Sequence, residues 1–279
     1  MVITSQAGSI EKIPADAVVL GIYENTKRLT GAAASVDRAA GRAISACLST
    51  KDFTGKKNQV AVLYPKGRPK FKRIILVGLG SAVDMDVDDA RQAAGTAVGC
   101  ARNLGIKTLT TTAMGAGKGG VDPAAAANAV AEGMVLANYS YDEYRTRAKD
   151  KRNRVRRATL VELDPDKFPI VRKSAAHGRV TGEAACFARD LCSQPSLDLT
   201  PRALAEKAKE LFSEKNGITL TVLDEKQIKQ HKMGCVLGVA KGSDEPPRFV
   251  VLDYTPKEKP KATICVVGKG VMFDTGGIS

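Results

Sequence analysis

The sequence predicts an α/β protein of two domains joined by a helix. Short runs of β-branched and aliphatic residues alternate with Ala-rich stretches of helical spacing, the pattern of strands and helices laid down in turn. The 279 residues exceed one average domain. Composition agrees: 43% hydrophobic residues can fill sizeable cores, and with 5% aromatics and no Trp the filling is mostly Ala and Val, with many Gly, which suits tightly packed layers.

Residues 17–23 (AVVLGIY) read as the first strand. Residues 29–48 follow as one helix, with Ile44 and Leu48 four apart on its apolar face. Residues 59–63 and 73–77 are two further strands, separated by the basic, Pro- and Gly-containing segment KGRPKFKR. The second is expected to end at Gly78-Leu79-Gly80-Ser81. Residues 87–104 form a helix whose acidic opening (Asp86, Asp88, Asp89) complements the helix dipole. A Thr-rich strand at 107–112 precedes Asp122-Pro123, a cap followed by a first-turn proline, which starts an Ala-rich helix to about Tyr139. Residues 159–163 are expected to close the sheet.

Two Gly-rich loops interrupt this half. Residues 115–120 (GAGKGG) lack the Ser or Thr that follows the lysine of a phosphate loop, and GLGS at 78–81 lacks the next glycine of a dinucleotide fingerprint. Both are expected to be tight turns before helices. Residues 145–157 (RTRAKDKRNRVRR) hold eight basic residues and one acid, a candidate for nucleic acid or phosphate. The simpler reading, preferred here, is a solvated loop between the last helix and strand of the first domain, since no aromatic within the run offers base stacking.

The second half opens on a small-residue helix over 173–193. Thr200-Pro201 caps and starts a helix through Phe212, and residues 218–223 alternate as a strand. Residues 248–253 and 263–267 are expected to be neighbouring strands in a second sheet, joined by the charged loop TPKEKPKA. The six cysteines are scattered without a CxxC pair and read as free thiols, mostly buried. With only His177 and His231, a His-based zinc site or a Ser-His-Asp triad has little to build on. No secretory signal and no apolar run of membrane-spanning length is found, so a soluble, cytoplasmic protein is expected. The net charge of +13 could attract a polyanion or serve solubility.

The last sixteen residues, ICVVGKGVMFDTGGIS, carry the most chemistry. An apolar run breaks at Gly268-Lys269-Gly270, placing Lys269 at a strand's carboxyl end, where open α/β sheets bind ligands. Asp274 follows five residues on, then Thr275 and Gly276-Gly277, two glycines that permit close backbone approach. The segment resembles the signature of the leucyl, or cytosol, aminopeptidases, VGKG-x-x-F-D-[ST]-GG-x-[ST], and matches it throughout. Resemblance extends to RDLCSQPSLDLTP at 189–201, although Ser193 and Leu197 stand where the family has asparagines. GCVLGVAKGS and PRFVVLDY are similar to further family segments, with Ala240 and Lys241 replacing the usual residues of a glycine-serine turn. RIILVGLG and YRTRAK in the first half resemble the family's N-terminal domain more loosely.

The resemblance implies a macro-domain-like N-terminal domain over 1–168, an interdomain helix over 169–195, and the start of a metallopeptidase catalytic domain over 196–279. It implies hydrolytic release of N-terminal, leucine-type residues from peptides by two divalent metals, manganese or zinc, within a homo-hexamer. Lys269 would bind one metal and Asp274 would bridge both. A carboxylate suits either metal, and a lysine can ligate once a neighbouring cation has displaced its proton. The family's catalytic lysine, its remaining carboxylates and its NTDAEGR motif would follow Ser279. No catalytic residue is therefore assigned within the chain, which is expected to be a truncated, inactive piece of such an enzyme. Two other readings compete: a basic DNA-binding or scaffolding protein without peptidase activity, and a macro-like module that binds a nucleotide.

Overall fold

A computed structural model of the chain describes residues 1–117, 119–147, 153–212, 217–258 and 260–273. The chain divides into two compact units, Met1–Arg189 and Asp190–Ser279. The α/β expectation holds: the first unit is a six-stranded, mostly parallel sheet covered by helices on both faces.

The sheet has the order β1-β6-β5-β2-β4-β3. Its strands are β1 (Val2–Ala7), β2 (Ala15–Tyr23), β3 (Val60–Leu63), β4 (Phe71–Gly80), β5 (Thr108–Thr111) and β6 (Arg157–Glu162). All neighbours are parallel except β3 and β4, which form an antiparallel pair. The runs in β2 and β4 are apolar without a break because both of their faces are buried. Val18, Leu20, Ile74 and Leu76 point to one face, against Val36 of α1 (Gly31–Ala39), Ile44 of α2 (Ala43–Thr50) and Phe53. Val19, Ile75 and Val77 point to the other, with the alanines of α3 (Val87–Asn103) and α4 (Pro123–Asn138). The predicted caps are in place: Asp86 and Asp89 form a reciprocal capping box, and Asp122 accepts from the Ala125 N–H.

Four expectations in this unit need correction. The helix over 29–48 is two helices, since Gly41 and Arg42 take left-handed backbone conformations (φ 65° and 66°) and turn the chain between α1 and α2. Gly78-Leu79-Gly80 does not end β4 but completes it, because the loop at 55–56 lies directly on the strand. A Cβ on Gly78 would overlap the Lys56 carbonyl. Residues 159–163 do not close the sheet: β6 is flanked by β1, a half-exposed edge strand whose Thr and Ser residues gave no apolar signal. Residues 173–193 belong to a longer helix, α5 (Phe168–Ser193), which packs along α4 through Gly178 against the Asn128 backbone and Gly182 against Val135.

In the second unit, β7 (Ile218–Leu223) and β8 (Phe249–Tyr254) pair antiparallel. Helices α6 (Pro201–Phe212), α7 (Glu225–Gln230) and α8 (Gly234–Ala240) accompany them. Thr200 Oγ1 accepts from the Ala203 N–H, as a cap should. The expected strand at 263–267 is absent: Ile264, Val266 and Val267 are 87%, 92% and 84% exposed. A β-branched run becomes a strand only where another backbone pairs with it, and among the described residues no strand pairs with this run. Among the described residues no helix is long and apolar enough to cross a membrane.

Candidate metal-ligating segment

Lys269 lies in an exposed, irregular segment, and no hydrogen bond or ion pair engages it among the described residues. The strand that would have presented it is not formed there. Its neighbour Gly268 is open, with no atom within 4 Å of a built Cβ, while at Gly270 a Cβ would make ordinary contact with Met272 and Leu204. Asp274, together with Gly276 and Gly277, lies outside the described residues. No group of three or more His, Cys, Asp or Glu side chains converges among the described residues. One lysine amine is not a donor set for a divalent cation, which prefers several oxygen or imidazole ligands. The described residues therefore do not by themselves fit a metal.

The departures from the family pattern sit where they disturb little. Ser193 is the last residue of α5, and Leu197 is 87% exposed in the segment leading to α6. Neither histidine approaches a metal-like cluster: His177 Nδ1 is 2.8 Å from Asn128 Nδ2, and His231 ends α7. The cysteines are free thiols, but the expectation that most are buried fails: Cys47, Cys100 and Cys186 are half-buried and Cys192, Cys235 and Cys265 are exposed.

The Gly-rich loop at 115–120 is a turn leading to α4, with Gly115, Gly117 and Gly120 all at positive φ. Lys118 lies outside the described residues. The space under this loop is filled by Tyr23, whose hydroxyl a Cβ on Gly119 would overlap. Burial pushes the Tyr23 phenol above its ordinary value, against the opposing pull of the Gly119 backbone. Gly78-Leu79-Gly80, as described above, belongs to β4 rather than to a phosphate-binding turn.

Sequence reasoning missed one cavity, of about 460 Å³, in the second unit. Arg202, Glu206 and Lys209 of α6 line it, with Leu220 of β7, Asp224 and Arg248. The spacing of Arg202 and Lys209, two helical turns apart, was its signal. Its charges already have protein partners. Lys209 pairs with Glu206 at 2.7 Å, Arg202 lies 3.7 Å from Glu245, and Asp224 accepts the Gln227 N–H. Arg248 donates to the Pro246 and Pro247 carbonyls.

Comparison with known proteins brings the two units together. Residues 19–148 match the N-terminal domain of the cytosol aminopeptidase family, and residues 186–279 match that family's catalytic domain. A "Probable cytosol aminopeptidase" of Geobacter sulfurreducens is 37% identical over 279 residues, all of this chain and 55% of that protein. One of the same name from Alkaliphilus oremlandii is 34% identical over 270 residues, 97% of this chain and 54% of that protein. The chain thus spans about half the length of the curated relatives it matches. Among solved structures, the bottromycin maturation enzyme BotP superposes with a TM-score of 0.67 at 31% identity, covering 86% of this chain and 46% of that one. BotP has also been solved in complex with Mn. A mutant tomato leucine aminopeptidase gives a TM-score of 0.76 over 94% of this chain and 52% of its own, at 23% identity, a likeness of fold.

Proposed function

Since the chain belongs to the cytosol aminopeptidase family, we propose that its residues contribute the N-terminal domain and the opening of the catalytic domain to a peptidase releasing N-terminal, leucine-type residues from peptides. The observation that carries this is the unbroken signature VGKGVMFDTGGIS at 267–279, inside the matched catalytic domain. In this reading Lys269 and Asp274 are two donors of a site for two divalent metals, with manganese favoured by the Mn complex of BotP. Such metals would polarise the scissile carbonyl and supply a nucleophilic water. The chain's own part is to supply an amine and a carboxylate five residues apart in sequence. A cytoplasmic homo-hexamer acting in protein turnover is the assembly and setting that accompany this proposal.

The 279 residues by themselves are proposed to be inactive, because two donors do not complete a metal site. Two assays test the reading. Protein isolated from its own source should release N-terminal leucine from peptides and lose that activity to a chelator. No release from a panel of leucyl peptides would overturn the peptidase assignment. The purified 279-residue polypeptide should not hydrolyse leucine amides with added Mn²⁺ or Zn²⁺, and hydrolysis there would overturn the inactivity while leaving the family reaction intact.

A further inference from the structure

Asp224 and Arg248 stand opposite each other at one end of the β7–β8 ladder. Leu223 pairs with Phe249, so Asp224 and Arg248 continue the antiparallel register by one place. Cα atoms so placed lie about 5 Å apart, and opposite charges at that spacing normally meet. Here each is turned to a backbone group instead. Asp224 Oδ1 accepts the Gln227 N–H at 2.8 Å, and Arg248 donates through Nη1 to the Pro247 carbonyl at 2.9 Å and the Pro246 carbonyl at 3.4 Å. Asp224 Oδ2 and the Nε and Nη2 of Arg248 have no partner among the described residues. Both residues line the cavity of about 460 Å³, so the space they share is open.

The rest of the lining decides what can enter. Side chains alternate along a strand, so Leu220 and Val222 share the face of β7 that carries Asp224. Both are half-buried in the cavity wall, and Ala205 of α6, 2% exposed, extends this apolar surface. Glu206 and Lys209 neutralise each other in their 2.7 Å pair. A ligand that meets Arg248 and Asp224 together must carry a carboxylate and a cation on neighbouring atoms. One that also covers Leu220 and Val222 must carry a short aliphatic group. The volume lies in the range of small-molecule sites.

We propose that this cavity binds a free α-amino acid with an aliphatic side chain. Its carboxylate lies on the open edge of the Arg248 guanidinium, its ammonium on Asp224 Oδ2 and its side chain against Leu220 and Val222. The Pro246 and Pro247 carbonyls hold the guanidinium in one orientation before the ligand arrives, the preorganisation that a two-point carboxylate contact needs. A peptide's C-terminus offers the carboxylate and the side chain but has an amide where Asp224 calls for a cation. A peptide's N-terminus lacks the carboxylate.

The segment that carries Lys269 takes no part in this cavity. At Gly270 it approaches α6 beside Leu204, on the side of the helix away from Arg202, Glu206 and Lys209. An aliphatic amino acid is also what the proposed peptidase releases. The cavity then gives that enzyme a site at which its product is sensed, a consequence that rests on the proposed function. The binding itself rests on the cavity alone.

The test is calorimetric titration of the 279-residue protein, with a chelator present, using L-leucine, L-leucinamide, 4-methylpentanoate and N-acetylalanyl-leucine. Leucine should bind saturably at one site per chain, and each analogue, lacking one of the two charges, at least tenfold more weakly. Arg248→Gln should weaken leucine at least tenfold. Asp224→Asn keeps a capping side chain for α7 and should weaken leucine to the same degree, while 4-methylpentanoate binds no worse than to the parent. Loss of structure would not produce that change of preference. Lys241→Gln, an exposed cation that does not line the cavity, should leave leucine binding unchanged. No saturable binding at millimolar leucine, equal affinity for leucine and N-acetylalanyl-leucine, or unchanged affinity in Arg248→Gln would each overturn the proposal. The ligand series on the parent protein decides the matter where a variant does not fold. Hydrolysis of leucyl peptides by the protein from its own source, without leucine binding to the cavity, removes this site alone. Leucine binding without hydrolysis supports the site and removes only the proposed peptidase.

Discussion

The Asp37 carboxylate, buried in the last turn of α1, accepts the Ile44 N–H at 2.9 Å and so closes the start of α2. The same group takes the Ser45 N–H at 3.0 Å and the Ser45 hydroxyl. It is an N-terminal cap supplied by the preceding helix in place of the left-handed Arg42. Removing it strands three donors in a buried corner. Asp37→Ala is expected to cost about 2–3 kcal/mol of unfolding free energy, and Asp37→Asn, which keeps one acceptor oxygen, less. Urea denaturation of the two variants checks this ordering, and equal stability of Asp37→Ala and the parent would remove the cap from the account.

This corner also shows where sequence reading fails. Periodicity marked residues 29–48 as helical because both helices are apolar and Ala-rich. Gly41 was the local stop signal that the periodicity overrode, while the restart of α2 depends on a carboxylate seven residues upstream of the N–H it binds, which no local pattern reveals. The central strands, the Asp86 and Asp122 caps and the sheet's alternation were legible because each is dictated by neighbours in sequence. Strand β1 was not, since a polar edge strand is recognised only by its partner β6. The run at 263–267 failed in the opposite sense: its propensity is high, but propensity for strand is realised only against a partner. Within the candidate site, the family signature was plain in the residues, whereas the contacts that would gather donors around Lys269 are not local to it.

Asp16 ties β2 to β5 across the edge of the sheet, and its titration should be visible in stability. Burial alone would raise its pKa. The Thr108 hydroxyl, the Thr108 and Lys107 N–H groups and Lys72 outweigh that and hold it below the ordinary aspartate value. A carboxylate lowered on folding stabilises fully above its unfolded pKa and loses that contribution as pH falls through the lower folded value. Unfolding free energy should therefore drop below about pH 4. Asp16→Asn should be less stable at neutral pH and show a shallower acid decline in that window. Identical pH profiles for the two proteins would contradict the role.

Metal binding by the 279-residue polypeptide should be weak, because Lys269 is alone among the described residues. Calorimetric titration with Mn²⁺ should give no saturable heat at micromolar metal, and Lys269→Ala should leave the trace unchanged. Saturable binding abolished by Lys269→Ala would mean that Lys269 and Asp274 hold a metal without further ligands.

Glycine-to-alanine changes in the α3–α4 layer should have opposite signs at two positions. Gly133 of α4 faces the α3 backbone so closely that a Cβ would overlap the Arg91 carbonyl. Gly99 of α3 has no atom within 4 Å of a built Cβ. Alanine gains roughly 0.5–1 kcal/mol over glycine inside a helix at either site, because less backbone entropy is lost on folding. At Gly99 nothing opposes that gain, so Gly99→Ala should stabilise by about that amount. At Gly133 the methyl must push two helices apart, and overpacking of this kind costs about 1–3 kcal/mol. The carbonyl it meets is backbone and cannot swing aside, which places the cost at the upper end, and Gly133→Ala should be destabilising overall. Thermal unfolding of the two variants beside the parent decides it. A stable Gly133→Ala would mean that α3 and α4 can separate at this crossing without loss, and the close approach of the two backbones would not be what holds the layer together.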